Sequence, residues 1–144
     1  MGDKGNKRGG ELAELKVAAK ATEVGAQVSF PHGDSATYDL VIEFGNRVSR
    51  VQVKSATYQD GNSYKVAVAR GGKKSDYSQA DFDVLAVIVP YAIYLIPAAQ
   101  LRHRKQVRVW RPGEVKVDGR SVCEWEGFRE AWHLMRPSGT PRQK

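Results

Sequence analysis

Cysteine is almost absent: the 144-residue chain has one, Cys123. It therefore has no internal disulfide and no cysteine-rich zinc site. Next to Val122, a lone cysteine reads as a small buried apolar residue rather than a nucleophile. The three histidines, His32, His103 and His133, have no metal-ligand spacing to one another. Long apolar runs are missing too. The longest, "VLAVIVPYAIYLIP", is too short to span a bilayer, is broken by Pro90, and reads as two buried strands around a turn. The opening "MGDKGNKRGG" has no apolar signal region. "GGKKS" lacks the glycine spacing of a nucleotide-binding loop, which argues against an NTPase. Acidic residues are in deficit: 16 Asp and Glu against 23 Lys and Arg leave a net charge of +7. That balance favours a polyanionic partner, nucleic acid before any membrane surface, and a cytoplasmic, nucleoid-associated location.

What is present is one domain's worth of chain. Residues 1–9 read as a flexible basic arm, 10–136 as a single domain, and 137–144, within "RPSGTPRQK", as a flexible tail. "ELAELKVAAKATEVG" reads as a helix, with Leu12, Leu15, Ala19 and Thr22 near helical spacing and Gly25 as its stop. "AQVSF", "YDLVIEF", "RVSRVQVKS", "SYKVAVAR", "FDVLAVIV", "AIYLIP" and "QVRVW" read as strands. Gly45 and Asn46 mark a tight hairpin, and "QDGN" marks another turn. "AAQL" is expected as a short helical turn and "CEWEGFREAW" as a C-terminal helix. The order implies an α/β (α+β) domain with a central mixed sheet flanked by helices.

Chemistry concentrates in the first half. Glu11 and Glu14, three apart, share one side of the first helix. Gln52 and Lys54, two apart, share one face of a strand, and Asp39 opens the neighbouring one. Folding the helix over this hairpin brings Glu14 to Asp39. Two carboxylates and an amide oxygen suit Mg²⁺, or Mn²⁺ in its place, rather than zinc. Lys54 beside them is placed to hold an attacking water, as phosphodiester hydrolysis requires. From spacing alone a strand lysine is as often an ordinary solvated side chain.

"YDLVIEF…RVQVKSA" resembles the PD-(D/E)XK nuclease core, and "RGGELAELKVAA" resembles its leading helix. The resemblance covers residues 8–135 and implies a restriction-endonuclease-like fold. It implies catalytic roles for Glu14, Asp39, Gln52 and Lys54, and metal ligation by Glu14, Asp39, Gln52 and the backbone carbonyl of Val53. Tyr38 stands where the motif has proline, and Gln52 where it has a second acid. The glutamine resembles the variant of bacterial group I intron-encoded homing endonucleases, to which "SQADFDVLAVIVPYAIYLIP" is also similar. An amide oxygen coordinates without neutralising charge, so the site is expected to hold one metal well and a second poorly. Glu11 is a reserve carboxylate, though a first-turn glutamate also suits the helix dipole. Glu43 is expected as an exposed strand residue or one behind the ligands.

The family implies double-stranded DNA as substrate and a homo-oligomer, a tetramer in preference to a dimer. DNA contacts are expected from Lys4, Lys7 and Arg8, and from the tip carrying Tyr58, Gln59, Asn62 and Ser63, sized for the major groove. Arg70, Lys73 and Lys74 lie in a Gly-Gly loop, and Arg102 and Arg104 in "LRHRKQVRVWR", whose Lys105 and Arg108 add charge. Two alternatives stand beside homing: a Holliday-junction resolvase, and a DNA-binding module whose nuclease site has decayed.

Overall fold

Six consecutive apolar residues, Val84–Val89, are all buried, which requires cover on both faces of the strand they form. The computed structural model describes residues 2–56, 59–68, 81–111 and 124–138. Helix α1 (Gly2–Glu23) leads into strands β1 (Gln27–Ser29), β2 (Leu40–Phe44), β3 (Arg47–Ser55), β4 (Gln59–Asp60) and β5 (Ser63–Ala67). After these come β6 (Val84–Val89), β7 (Ala92–Pro97), a 3₁₀ turn (Ala98–Leu101) and β8 (Gln106–Trp110). Two more 3₁₀ turns, Glu126–Phe128 and Trp132–Met135, close the described chain.

Strands β1-β2-β3-β6-β7 form one sheet in that spatial order, with β3 and β6 parallel and the other neighbours antiparallel. This is the expected mixed central sheet. Strand alternation divides its cover. Val84, Ala86 and Ile88 join Leu40, Ile42 and Val51 beneath α1. Leu85, Val87 and Val89 face the second, antiparallel sheet β4-β5-β8, meeting Tyr64, Val66, Val107 and Val109. "QVRVW" thus belongs to a second layer, not to the central sheet.

Helix α1 meets the sheet through Ala13, Val17 and Ala21, small side chains that let helix and sheet approach closely. Leu12 and Leu15 lie on the outside, 54% and 58% exposed. The helix also starts at Gly2, so the segment expected as an arm continues it. Extending a formed helix adds a hydrogen bond per residue with no new nucleation. The β2–β3 and β4–β5 hairpins both use the dipeptide Gly-Asn. Phe44 faces Arg47 across Gly45–Asn46, and Asp60 faces Ser63 across Gly61–Asn62. Gly45 and Gly61 have φ of 58° and 61°, the glycine-first order that a type II′ turn requires.

The expected C-terminal helix is broken into two 3₁₀ turns. Between them Arg129 bridges to Tyr94, the Glu130 N–H donates to the Ile93 carbonyl at 2.8 Å, and Glu130 has φ 51°. Backbone groups spent on the edge of β7 are withdrawn from a helical ladder.

Candidate active site

Asp39 sits one residue before β2. Its N–H donates to the Val51 carbonyl at 2.8 Å, and its Oδ2 accepts from the Val53 N–H at 2.7 Å. The carboxylate is thus fixed to β3 by the backbone itself. In β3, Val51 and Val53 pack toward the α1 side. Alternation therefore turns Gln52 and Lys54 to the other face, in register with Leu85 and Val87 of β6. Glu14, on α1, and Asp39, Gln52, Val53 and Lys54 are all partly buried.

The two carboxyls of this set feel each other's charge. Burial pushes the Asp39 carboxyl above its usual range, against the opposing pull of the Val53 N–H and the Lys54 charge. Glu14 is also raised, first by burial, then by the negative charges of Asp39 and Glu11. Helix and hairpin thus bring the expected carboxylates to one cleft, within electrostatic reach of each other. A carboxylate pair of this kind, short of compensating charge, suits a cation. The donors expected of the site are oxygens alone, two carboxylates, the Gln52 amide and the Val53 carbonyl, a chemistry that fits a hard divalent ion. Glu14 and Asp39 share the cleft, whereas Gln52 lies on the sheet face away from α1. Among the described residues no cluster of three or more His, Cys, Asp or Glu is close enough to hold a metal, so the charge available is that of the carboxylate pair.

A cleft of about 510 Å³ opens beside Asp39. Lys7, Gly10, Glu11 and Glu14 form its helix wall at the i, i+3, i+4, i+7 spacing of a single helix face. Phe30, Pro31, Asp34 and Tyr38, from the connection between β1 and β2, line it too. Lys7 lies on that wall rather than on an arm, and its spacing from Glu14 is visible in the sequence. Phe30 and Asp34 are cleft residues that sequence reasoning missed, since a loop has no periodicity to place them.

Of the other residues expected to touch DNA, Gln59 and Asn62 are exposed at the Gly61 turn, and the Gln59 amide donates to the Gly61 carbonyl at 3.0 Å. Ser63 is not on that surface. It is 1% exposed, and Arg108 donates to its Oγ at 2.6 Å, because the first residue of β5 points into the space between the strands. Arg8 and Arg102 are exposed. Arg104 gives its two terminal nitrogens to Glu124 at 2.9 and 2.8 Å and lies over Trp125, so its fork is already occupied. Lys4 falls within α1. Tyr58, Arg70, Lys73, Lys74 and Cys123 lie outside the described residues. Asp83, read as the start of a strand, binds the Arg50 backbone N–H at 2.8 Å and its guanidinium at 3.1 and 3.2 Å. Glu43 is partly exposed in β2, opposite Val48.

A helix on a mixed five-stranded sheet, with Asp39 opening one strand and Gln-Val-Lys on the next, defines the PD-(D/E)XK nuclease-like fold. Residues 4–133 match the PD-(D/E)XK endonuclease family, and the chain belongs to it. It is 38% identical over 82 residues to "Protein 5.3" of Escherichia phage T7, across 56% of this chain and 70% of that protein. It is also similar to the solved structure of a bacterial homing endonuclease, I-Ssp6803I. The TM-score is 0.75 at 26% identity, covering 89% of this chain and 90% of that one. A Holliday junction resolvase, Hjc of Archaeoglobus fulgidus, matches at a TM-score of 0.46 and 17% identity over 71% of this chain and 84% of that one. Among the described residues no helix is long and apolar enough to cross a membrane.

Proposed function

We propose that this chain is a divalent-metal-dependent endonuclease that cuts double-stranded DNA at a specific site, a homing endonuclease of the group I intron type. The observation that carries the reading is the partly buried Asp39 carboxylate, fixed to the Val53 N–H and within electrostatic reach of Glu14 and Lys54. Glu14, Asp39, the Gln52 amide and the Val53 carbonyl would hold Mg²⁺, or Mn²⁺ in its place. A bound ion of this class lowers the pKa of water and offsets charge on the phosphate. Lys54, whose charge reaches Asp39, would orient a water or a phosphate oxygen there. Asp39 keeps its orientation through its bond to β3.

Site-specific homing is supported by the likeness to the bacterial homing endonuclease over most of both chains and by the Gln-Val-Lys motif. The family resemblance implies a homo-oligomer, a tetramer before a dimer. On physical grounds two strands must be cut and a subunit of this size has one such site, which supports at least a dimer. A cytoplasmic, nucleoid-associated location goes with the substrate and the +7 charge. Lys7, Arg8 and Arg102 are exposed for phosphate contact, and Asn62 for base contact. Lys4, Tyr58, Gln59, Arg70, Lys73 and Lys74 belong to the same expected interface.

The test is cleavage of an intron-insertion-site library beside synthetic four-way junctions, with Mg²⁺ or with a chelator. Mg²⁺-dependent cutting of one duplex site is expected. Preferential cutting of junctions would make the protein a resolvase. Binding without cutting of either would make it a DNA-binding module.

A further inference from the structure

Resting on the nuclease reading, we propose that Phe30 is a nucleotide-stacking residue, whose ring packs on the base beside the cleaved phosphate when DNA fills the cleft. Phe30 is 50% exposed and lines the same cleft as Glu14 and Asp39. The other phenylalanines serve the interior: Phe44 and Phe82 are 4% and 0% exposed, and Phe128 is packed against the second core near Trp125.

Location, not exposure alone, distinguishes Phe30. It follows the end of β1 at Ser29 and precedes Pro31, which also lines the cleft. A residue before proline is biased toward extended backbone, which limits the directions the ring can take. On the helix wall Lys7 shares a face with Glu14, two turns and roughly 10 Å along the axis. That is the rise of about three base pairs. A strand whose phosphate reaches Asp39 therefore has a cation for a neighbouring phosphate and an aromatic face for a flanking base. Extruding one base of a duplex to reach that face costs stacking with its neighbours, which the ring replaces.

The test separates this idea from the nuclease reading. Wild type in Ca²⁺ selects its tightest duplex from a random-sequence pool, and the cut position is mapped in Mg²⁺. Duplexes carrying 2-aminopurine singly at each position flanking the cut are then bound in Ca²⁺ by wild type, Phe30→Ala and Phe30→Trp. Phe30→Ala is expected to lose affinity by roughly tenfold to a hundredfold. Wild type and Phe30→Trp should change the probe's fluorescence at one flanking position, and Phe30→Ala should not. Because half of Phe30 is exposed, unchanged thermal unfolding is expected in the variants. Wild-type affinity in Phe30→Ala overturns the proposal, as does lost affinity with unaltered probe fluorescence. A wild type that cuts no DNA overturns the nuclease reading, and this proposal with it.

Discussion

Strand β3 carries two acid–base arrangements four residues apart on one face, and they have opposite fates. At Arg50, Asp83 accepts the backbone N–H and is held by the guanidinium at 3.1 Å. Burial would raise the Asp83 carboxyl, but the Arg50 hydrogen bonds and charge outweigh it and hold it below its usual range. At Lys54, burial outweighs the Val53 N–H and the Lys54 charge, and Asp39 stays above its usual range. A second acid, Glu14, adds repulsion. An acid whose partners satisfy it braces the start of the parallel β3–β6 pair. An acid left short of positive charge, at the wall of a cleft, is placed for a ligand.

The largest expected effect is on cleavage. Asp39→Asn and Lys54→Ala should each lower single-turnover cleavage by on the order of a hundredfold or more while sparing DNA binding. Near-wild-type rates in both would erase the distinction between the two pairs. Next comes Gln52. Gln52→Ala should lose most activity, whereas Gln52→Glu adds the missing charge and should lower the Mg²⁺ concentration needed for half-maximal rate. Full activity in Gln52→Ala would reduce the residue to a spacer.

The brace is expected to matter for stability instead. Asp83→Ala should cost about 1 kcal/mol, since the pair is partly exposed, and leave the Mg²⁺ requirement unchanged. The pH signs separate the two sites. Asp83, with a lowered folded pKa, gives stability above its unfolded pKa that is lost as pH falls through the folded one. Asp39 and Glu14, with raised folded pKa values, favour the folded state below their unfolded values and lose that contribution as pH rises through the folded ones. Denaturant unfolding against pH should show Asp83→Ala converging on wild type in acid and Glu14→Gln diverging upward toward neutral pH. The smallest effect is local: Asn62→Ala should relax preference at single base pairs, about 1–3 kcal/mol each, measured on singly substituted sites.

Much of the candidate site's local arrangement was legible in the sequence because it depends on spacing. Two residues apart on a strand, or three on a helix, fixes a shared face, and Gln52, Lys54, Glu11 and Glu14 follow from that alone. The central sheet was legible for the same reason. What was not legible depends on the tertiary partner. The helix face that packs is Ala13, Val17 and Ala21 rather than the leucines, a choice made by the sheet it meets. The C-terminal segment has helical composition, yet β7 takes its backbone. Ser63 sits in a polar turn sequence but points inward toward Arg108. Arg104 lies in a basic run, and its acid, Glu124, is twenty residues away.

The most direct measurement is thermal unfolding of wild type, Asp39→Asn and Asp83→Ala at neutral pH, with and without Mg²⁺. If Asp39 is an acid held short of charge for a cation, Mg²⁺ raises the wild-type and Asp83→Ala midpoints. Asp39→Asn keeps its acceptor for the Val53 N–H, so without metal it unfolds at or above the wild-type temperature, and Mg²⁺ does not shift it. A wild-type midpoint indifferent to Mg²⁺, with Asp39→Asn less stable than wild type, would show Asp39 to be a structural brace like Asp83.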